Sequence, residues 1–349
     1  MKRLTSFMAR AGLPRLMIGG LLLILFIVAP FAQVRVDTSL SDIIKRFGMT
    51  ATLVLAMVPM VQSGCGLNFG LQIGIIAGLL GSTFAMNLGL TGLFGFLTAL
   101  IITIGLGTLF GYGYGQLLNK VKGSEMTIAL YVGWSTVAFM CIWWLLLPYK
   151  NPVMIWGYGG EGLRTTITTE GYWLHILDDF LAIHLGTHFT FPTGTIVFIA
   201  VLCLLVWAFF HTKTGTAVTA VGSNPEFAKA SGIDIDHMRI RSVIMSTVLG
   251  GIGILLYQQS FGFIQLYLAP LWMSFPAVAA ILIGGASIHK ATIMNVVVGT
   301  LLYQGIVAMT PSVINSLIQS DISDVIRIIS THGIILYALT MTMTTQRKQ

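Results

Sequence analysis

Long apolar runs follow one another along nearly the whole chain, and only short polar stretches separate them. A helix of about 20 apolar residues crosses the hydrocarbon core of a bilayer, so runs of roughly this length predict membrane-spanning helices. We predict about ten of them, near residues 13–32, 48–64, 69–87, 90–118, 126–147, 192–211, 242–258, 271–288, 292–310 and 325–344. The pattern therefore indicates an all-α, polytopic membrane protein.

Composition agrees with the apolar pattern and narrows the class of protein. Of 349 residues, 55% are hydrophobic and 9% are charged, whereas soluble domains carry about 25% charged residues. A sizeable soluble domain is thereby excluded. The formal net charge of +7 is typical of basic cytoplasmic loops and does not indicate nucleic-acid binding. Cys65, Cys141 and Cys203 are far apart and form neither a disulfide framework nor a metal motif.

The distribution of charge predicts the orientation of the spans. With the N-terminus inside and ten spans, the inner segments hold 13 of the 19 basic residues but only 4 of the 12 acidic residues. Basic residues are concentrated in cytoplasmic loops. We therefore expect both termini in the cytoplasm.

One stretch, residues 213–241, is polar and charged in an otherwise apolar chain. Within it, Asn224 is a good helix N-cap, Pro225 suits the first helical position, and Gly232 can adopt the left-handed conformation that ends a helix. The stretch thus predicts one short cytoplasmic helix, too short to be stable alone. Such a helix indicates a partner in the water phase, with a structural loop that has no partner as the alternative.

Glycine occurs 39 times, and two of its patterns predict structure. Gly107, Gly111 and Gly115 recur every four residues, so they share one helix face and predict close helix packing. The segment 63–74 combines four glycines with Asn68 and Gln72, which favours a broken or re-entrant helix lining a cavity over an ordinary tight turn. The glycine pair at 284–285 echoes it, so we expect an inverted repeat of two halves.

Three motifs resemble those of the membrane-spanning permeases of bacterial ABC importers for branched-chain amino acids, ribose and nucleosides. They are TGTAVTAVGSNPEFAKASGIDI at 214–235, AAILIGGAS at 279–287 and SGCGLNFG at 63–70. The resemblance implies a single permease domain over residues 1–349 in the bacterial cytoplasmic membrane. Its coupling loop would span about 212–241, and its main periplasmic segment about 148–191. Gly66 stands where the sugar permeases of this family usually carry Asp, which leaves the substrate open among sugars, nucleosides and related small polar solutes.

The resemblance also implies partners. In such importers two permease chains form the pathway, two ATPases bind beneath them, and a periplasmic or lipoprotein binding protein delivers the substrate. The short cytoplasmic helix would be the coupling helix that contacts an ATPase, and its residues are Gly222, Asn224, Pro225, Glu226, Ala228, Lys229, Ser231 and Gly232. The chain lacks the glycine-rich phosphate loop that ends in Gly-Lys-Ser/Thr, so ATP and Mg²⁺ are expected on the ATPase, and no cofactor is expected in this chain.

Uncharged polar residues in or beside the spans, together with two glycines of the segment 63–74, are the candidates for the substrate pathway. The set comprises Gln62, Gly66, Asn68, Gly70, Gln72, Asn87, Gln258 and Gln304. Amide side chains suit a neutral polar solute. The expected spans carry few ionisable groups at membrane depth, which argues against a proton-coupled carrier.

The outer segment supplies a second candidate surface. Apolar residues at helical spacing within 171–189 suit the membrane interface, and Asp178 and Asp179 would then face water and contact basic residues of a binding protein. His175, Asp179, His184 and His188 have helical spacing, but Gly186 interrupts the set, so no metal site is expected.

Two other classes stay open. A secondary carrier also has about ten spans and broken helices, but it needs an ion-coupling site rather than a capped cytoplasmic helix. An intramembrane serine protease would pair Ser287 with His332, yet the predicted topology puts them at opposite ends of their spans.

Overall fold

The computed structural model describes residues 13–156, 162–186, 188–318 and 333. Helices dominate. In the first half they are α1 (Leu13–Val28), α2 (Val36–Leu55), α3 (Met57–Gln62), α4 (Gln72–Asn87), α5 (Gly92–Lys120) and α6 (Glu125–Leu146). In the second half they are α7 (Thr193–Phe210), α8 (Lys213–Ser223), α9 (Pro225–Ala230), α10 (Ile235–Phe261), α11 (Ser274–Ile283) and α12 (Ile293–Ile318), with a 3₁₀ turn at Ala269–Trp272.

Short strands occur in the segments between α6 and α7 and after α10. Strand β1 (Thr166–Thr168) pairs antiparallel with β4 (Phe263–Gln265), with Ile167 opposite Ile264. Strand β2 (Ile183–Leu185) pairs antiparallel with β3 (Phe189–Phe191), with His184 opposite Thr190. The membrane-spanning part is helical as predicted, but the all-α description does not extend to these connecting segments.

Six helical stretches in the described part of the chain are long and apolar enough to cross a membrane. They are Val36–Gln62, Gly92–Lys120, Glu125–Leu146, Thr193–Phe210, Ile235–Phe261 and Ile293–Ser316. Three more of the predicted spans coincide with shorter apolar helices, at Arg15–Val28, Gln72–Asn87 and Ala269–Ile283. The tenth, at 325–344, lies outside the described residues, so the count of ten stays a prediction.

The larger of two compact units comprises Gly48–Ala182 and Pro192–Val278. At its centre lies α4, where 14 of 16 residues are buried, packed between α5 and α10. Glycines permit this close approach: an added Cβ at Gly111 would lie 2.8 Å from the Cα of Ile244, and one at Gly115 3.1 Å from the Cα of Ile240. The predicted packing role of the Gly107, Gly111 and Gly115 face is confirmed.

The smaller unit takes its described residues from Met1–Phe47, Ile183–Phe191 and Ala279–Gln349. Its core joins α1, the first part of α2 and α12 through Leu25, Ala29, Ile43 and Met309. Gly284 faces the backbone of Asn295, whose side-chain amide donates to the Gly284 carbonyl at 2.6 Å. The glycine pair at 284–285 therefore ends α11 where α12 packs against it.

Four features of the elements differ from the sequence expectation. Helices α2 and α10 begin at Val36 and Ile235, earlier than the apolar runs, because each continues into a polar first turn. The helical run is also interrupted at Ala56, since Pro59 has no N–H to donate to the Leu55 carbonyl. Finally, 171–182 forms consecutive turns rather than the expected helix.

Candidate functional site

Three helices follow one another in the polar stretch, and a side-chain cap begins each. The Thr212 side chain accepts a hydrogen bond from the Gly215 amide at the start of α8, and the Asn224 side chain accepts one from the Phe227 amide (3.0 Å) at the start of α9. At the start of α10 the Asp234 side chain accepts from the His237 amide. Each cap satisfies an N–H that the helix itself leaves unpaired. The predicted cap at Asn224 and the first-position Pro225 are confirmed. Helix α8 was not predicted from the sequence, although Thr212 is a recognisable N-cap residue.

The end of α9 also matches the prediction. Gly232 has φ +78°, and the amide of Ile233 donates to the Ala228 carbonyl at 3.0 Å. A left-handed glycine followed by a bond back into the last turn is a common way to end a helix. The six residues of α9 are thus fixed at both ends.

The exposed face of α9 differs from the expectation in one residue. Ala228 is fully buried, so it packs within the chain and is not available to a partner. The prediction that Ala228 contacts the ATPase is therefore corrected. Pro225, Glu226 and Lys229 are exposed. Beside them lies Phe227, whose side chain is 65% exposed. Phe227 was not among the predicted contact residues, although it is the one large apolar residue in PEFAKA.

Two ion pairs connect the start of α10 with the residues at and just before the start of α6. Arg239, near the start of α10, pairs with Glu125, the first residue of α6, and both side chains are nearly buried. Lys122 contacts Asp236 at 2.5 Å. The pKa of Asp234 is lowered, chiefly because its carboxylate accepts a hydrogen bond from the backbone amide of His237. A second hydrogen bond, to the His237 side chain, lowers it further. The two ion pairs thus fix the start of α10 to the first residue of α6 and to the loop before it.

The predicted helix interruption is present between Gln62 and Gln72. We name residues 63–71 the junction turn; most of it is buried. Asn68, fully buried, is its centre: its Nδ2 donates to the Ser246 hydroxyl at 2.8 Å, and its Oδ1 accepts from the Gly70 amide and the Tyr114 hydroxyl. The Ser246 hydroxyl donates onward to the Ala56 carbonyl. Asn68 thus uses most of its hydrogen-bonding capacity within the chain.

Glycines of the junction turn meet neighbouring elements closely. An added Cβ at Gly66 would lie 3.0 Å from the Met126 side chain, and one at Gly70 would collide with the Tyr114 hydroxyl. Gly64 and Gly66 both have positive φ, a conformation that favours glycine. The turn therefore needs glycine for its backbone and for its packing.

Two buried glutamines keep an amide atom without a partner within the described residues. Gln72 donates to the Ser274 hydroxyl at 2.9 Å, but its Oε1 has no donor. Gln258 accepts from Ser82 at 2.6 Å, but its Nε2 has no acceptor. A buried amide atom without a hydrogen bond is costly, so each is a candidate for water or a solute.

The other predicted pathway residues are dispersed. Gln62 ends α3, and the Asn87 side chain accepts from the Lys150 amide at 3.0 Å at the far end of α4. Gln304 belongs to the smaller unit and is nearly buried. Gly66, Asn68 and Gly70 lie in the junction turn, and Gln72 follows them as the first residue of α4.

Asp178 does not face water as expected. It is 7% exposed and accepts from the Thr195 hydroxyl and from Gln259 Nε2 (3.1 Å), while His175 Nδ1 lies 3.3 Å away. Asp178 therefore fixes the outer segment to α7 and α10. Its neighbour Asp179 is exposed, so the binding-protein prediction is kept for Asp179 alone.

The described residues contain no cluster of three or more His, Cys, Asp or Glu suited to a metal ion. Of the Ser287–His332 pair that the serine-protease alternative would need, His332 lies outside the described residues. Ser287 caps its own loop by accepting from the Lys290 amide at 3.0 Å.

Comparison with known proteins gives a family match over residues 39–343, to the branched-chain amino acid transport system / permease component family. The galactofuranose transporter permease protein YtfT of Escherichia coli (strain K12) is 26% identical, covering 84% of this chain and 80% of that protein. The nucleoside ABC transporter permease protein NupC of Lactococcus lactis subsp. cremoris (strain MG1363) is 27% identical over 61% of this chain and 67% of that protein. The autoinducer 2 import system permease protein LsrD of Escherichia coli O157:H7 is 27% identical over 71% and 67%.

Proposed function

Since the chain belongs to the branched-chain amino acid transport system / permease component family, we propose that it forms the translocation pathway of a binding-protein-dependent ABC importer. It is a multi-pass membrane protein and a transport subunit of an ABC transporter. ATP and Mg²⁺ would bind a separate ATPase. A binding protein would deliver the substrate, and a second permease chain would complete the pathway in the bacterial inner membrane.

The observation that carries the proposal is the exposed face of α9. Phe227 presents its ring from a helix fixed at both ends, and Pro225, Glu226 and Lys229 flank it. An aromatic side chain surrounded by polar groups is typical of the central contact of an interface. We propose that Phe227 enters an apolar groove on the ATPase, while Ala228 holds α9 to its own chain.

The membrane organisation follows from the same proposal. Ten spans, with both termini in the cytoplasm, would put α8, α9 and the loop before α6 on the ATPase side. The interruptions at 63–71 and at 284–292 would give each half of an inverted repeat one glycine-broken segment. Residues 1–349 would act as one permease domain, with the main periplasmic segment at about 148–191.

For the substrate we propose a small neutral polar solute, a sugar or a nucleoside. The named relatives are permeases for galactofuranose, a nucleoside and autoinducer 2. The unpaired Gln72 Oε1 and Gln258 Nε2 offer one acceptor and one donor, which suits hydroxyl or base groups. Both atoms are buried, so a solute would reach them only after the helices around α4 separate.

The test is retention of the co-expressed ATPase by a Phe227→Ala variant. We expect the ATPase to dissociate during purification, because truncating a central aromatic typically costs about 2 kcal/mol or more of binding free energy. Phe94→Ala is the matched control, since Phe94 is 69% exposed on α5, away from α9. Full retention of the ATPase by Phe227→Ala would contradict docking through this residue.

A further inference from the structure

The last turn of α8 contacts the junction turn backbone to backbone. An added Cβ at Gly222 would collide with the Gln62 carbonyl oxygen and would lie 2.9 Å from the Gly64 nitrogen. From the other side, an added Cβ at Gly64 would lie 3.1 Å from the Gly222 Cα. No side chain separates the two segments at this point. A backbone contact cannot relax by rotamer change, so movement of one segment toward the other must displace it.

Gly222 is also fixed to the proposed docking helix. It lies two residues before Asn224, which ends α8 through a backbone bond to Ala220 (2.9 Å) and begins α9 through its side chain. Ala228, on α9, is buried within the chain. A force on α9 therefore reaches Gly222 without a flexible linker between them.

The junction turn connects onward into the larger unit. Asn68 links it to Ser246 of α10 and Tyr114 of α5, and Ser246 links it to the end of α2. Cys65 packs in a buried cluster with Met60, Tyr114 and Val243. The turn is thus a shared contact of four helices, so its displacement would alter all of them together.

We propose that Gly222 is the positioning residue through which α9 displaces the junction turn, and with it the helices around α4. The inference rests on the proposed function, because it needs an ATPase docked on α9. The sequence resemblance implies that Gly222 is an ATPase contact, but Gly222 packs against Gln62 and Gly64 of its own chain, so the proposal assigns it to transmission and not to ATPase binding.

The experiment uses a Gly222→Ala variant of the full complex with its ATPase and binding protein. The added methyl group forces the Gly222–Gly64 contact apart while Phe227 stays exposed. We expect the ATPase to co-purify and basal hydrolysis to persist, while uptake falls by about tenfold, within the range of single substitutions that alter coupling. Gly113→Ala is the control, because an added Cβ there meets no described atom within 4 Å.

A second readout follows the junction turn itself. With Cys141 and Cys203 replaced by serine, Cys65 is the remaining thiol. We expect the rate of Cys65 labelling by a small maleimide to change on trapping ATP with vanadate, and this response to vanish in Gly222→Ala. A defect in folding alone would instead lower ATPase co-purification and thermal stability.

The outcomes separate the two proposals. Normal uptake and a normal Cys65 response in Gly222→Ala would overturn the transmission role and leave the proposed function intact. If the Gly222→Ala variant no longer co-purified with the ATPase and no longer formed a monodisperse complex, the transmission role would also be overturned, because Gly222 would then be merely structural. A wild-type chain that holds no ATPase would refute the proposed function instead.

Discussion

At the scale of single residues, neighbours in sequence have opposite roles. Phe227 is exposed and Ala228 is fully buried, and Asp179 is exposed while Asp178 is buried. Sequence reasoning predicted the caps at Asn224 and Gly232 because a cap depends on a few consecutive residues. It misplaced Ala228 and Asp178 because their burial depends on packing against distant segments.

The pair of aspartates supports a matched prediction. Asp178→Ala leaves the buried Thr195 hydroxyl without its acceptor and removes one of three acceptors of Gln259 Nε2, and an unsatisfied buried donor costs about 1–3 kcal/mol. We expect a clearly lower midpoint of thermal unfolding in detergent for this variant. Asp179→Ala is the control, because an exposed substitution usually changes stability by about 0.5 kcal/mol or less. Equal midpoints for the two variants would contradict the structural role of Asp178.

At the scale of helices, α4 and its two neighbours α5 and α10 depend on glycine at their contacts. An added Cβ at Gly78 would collide with the Ile254 side chain and lie 2.5 Å from the Gly251 carbonyl oxygen of α10. Gly78→Ala should destabilise the chain by about 1–3 kcal/mol, the usual cost of overpacking.

Gly105 is the matched control for this prediction. It lies on the exposed face of α5, where an added Cβ meets no described atom within 4 Å. Gly105→Ala should be neutral or stabilising by about 0.5–1 kcal/mol, because alanine favours a helix interior over glycine. Thermal unfolding of both variants checks the pair, and a stable Gly78→Ala variant would refute the close α4–α10 contact.

Apolar periodicity predicted most of the helices, because burial in a bilayer requires long apolar runs. It failed where charged turns extend a helix, as in the start of α2 at Val36 and of α10 at Ile235. It also failed at 171–189, where helical spacing of apolar residues produced turns and the β2–β3 hairpin. The spacing of apolar residues over so short a segment does not distinguish a helix from turns and a hairpin, because contacts with other segments determine which one forms.

At the scale of the whole molecule, the orientation of the chain gives a direct prediction. Reporter fusions at Lys122 and Glu226 should report the cytoplasm, and a fusion at Arg164 should report the periplasm. The reason is the excess of basic residues in the segments assigned to the inside. Lys122 and Glu226 serve as controls for each other, since both lie on the ATPase side in the proposal. A periplasmic signal at Glu226 would contradict both the orientation and the docking of α9.

The most direct test of the account is uptake into proteoliposomes that contain the permease, its ATPase and its binding protein. The binding protein would be loaded with a tritiated sugar or nucleoside that it binds. The account predicts uptake that requires ATP hydrolysis, is lost in Phe227→Ala, and persists when ionophores abolish every ion gradient. Uptake without ATP that follows an imposed ion gradient would contradict it and would identify the chain as a secondary carrier.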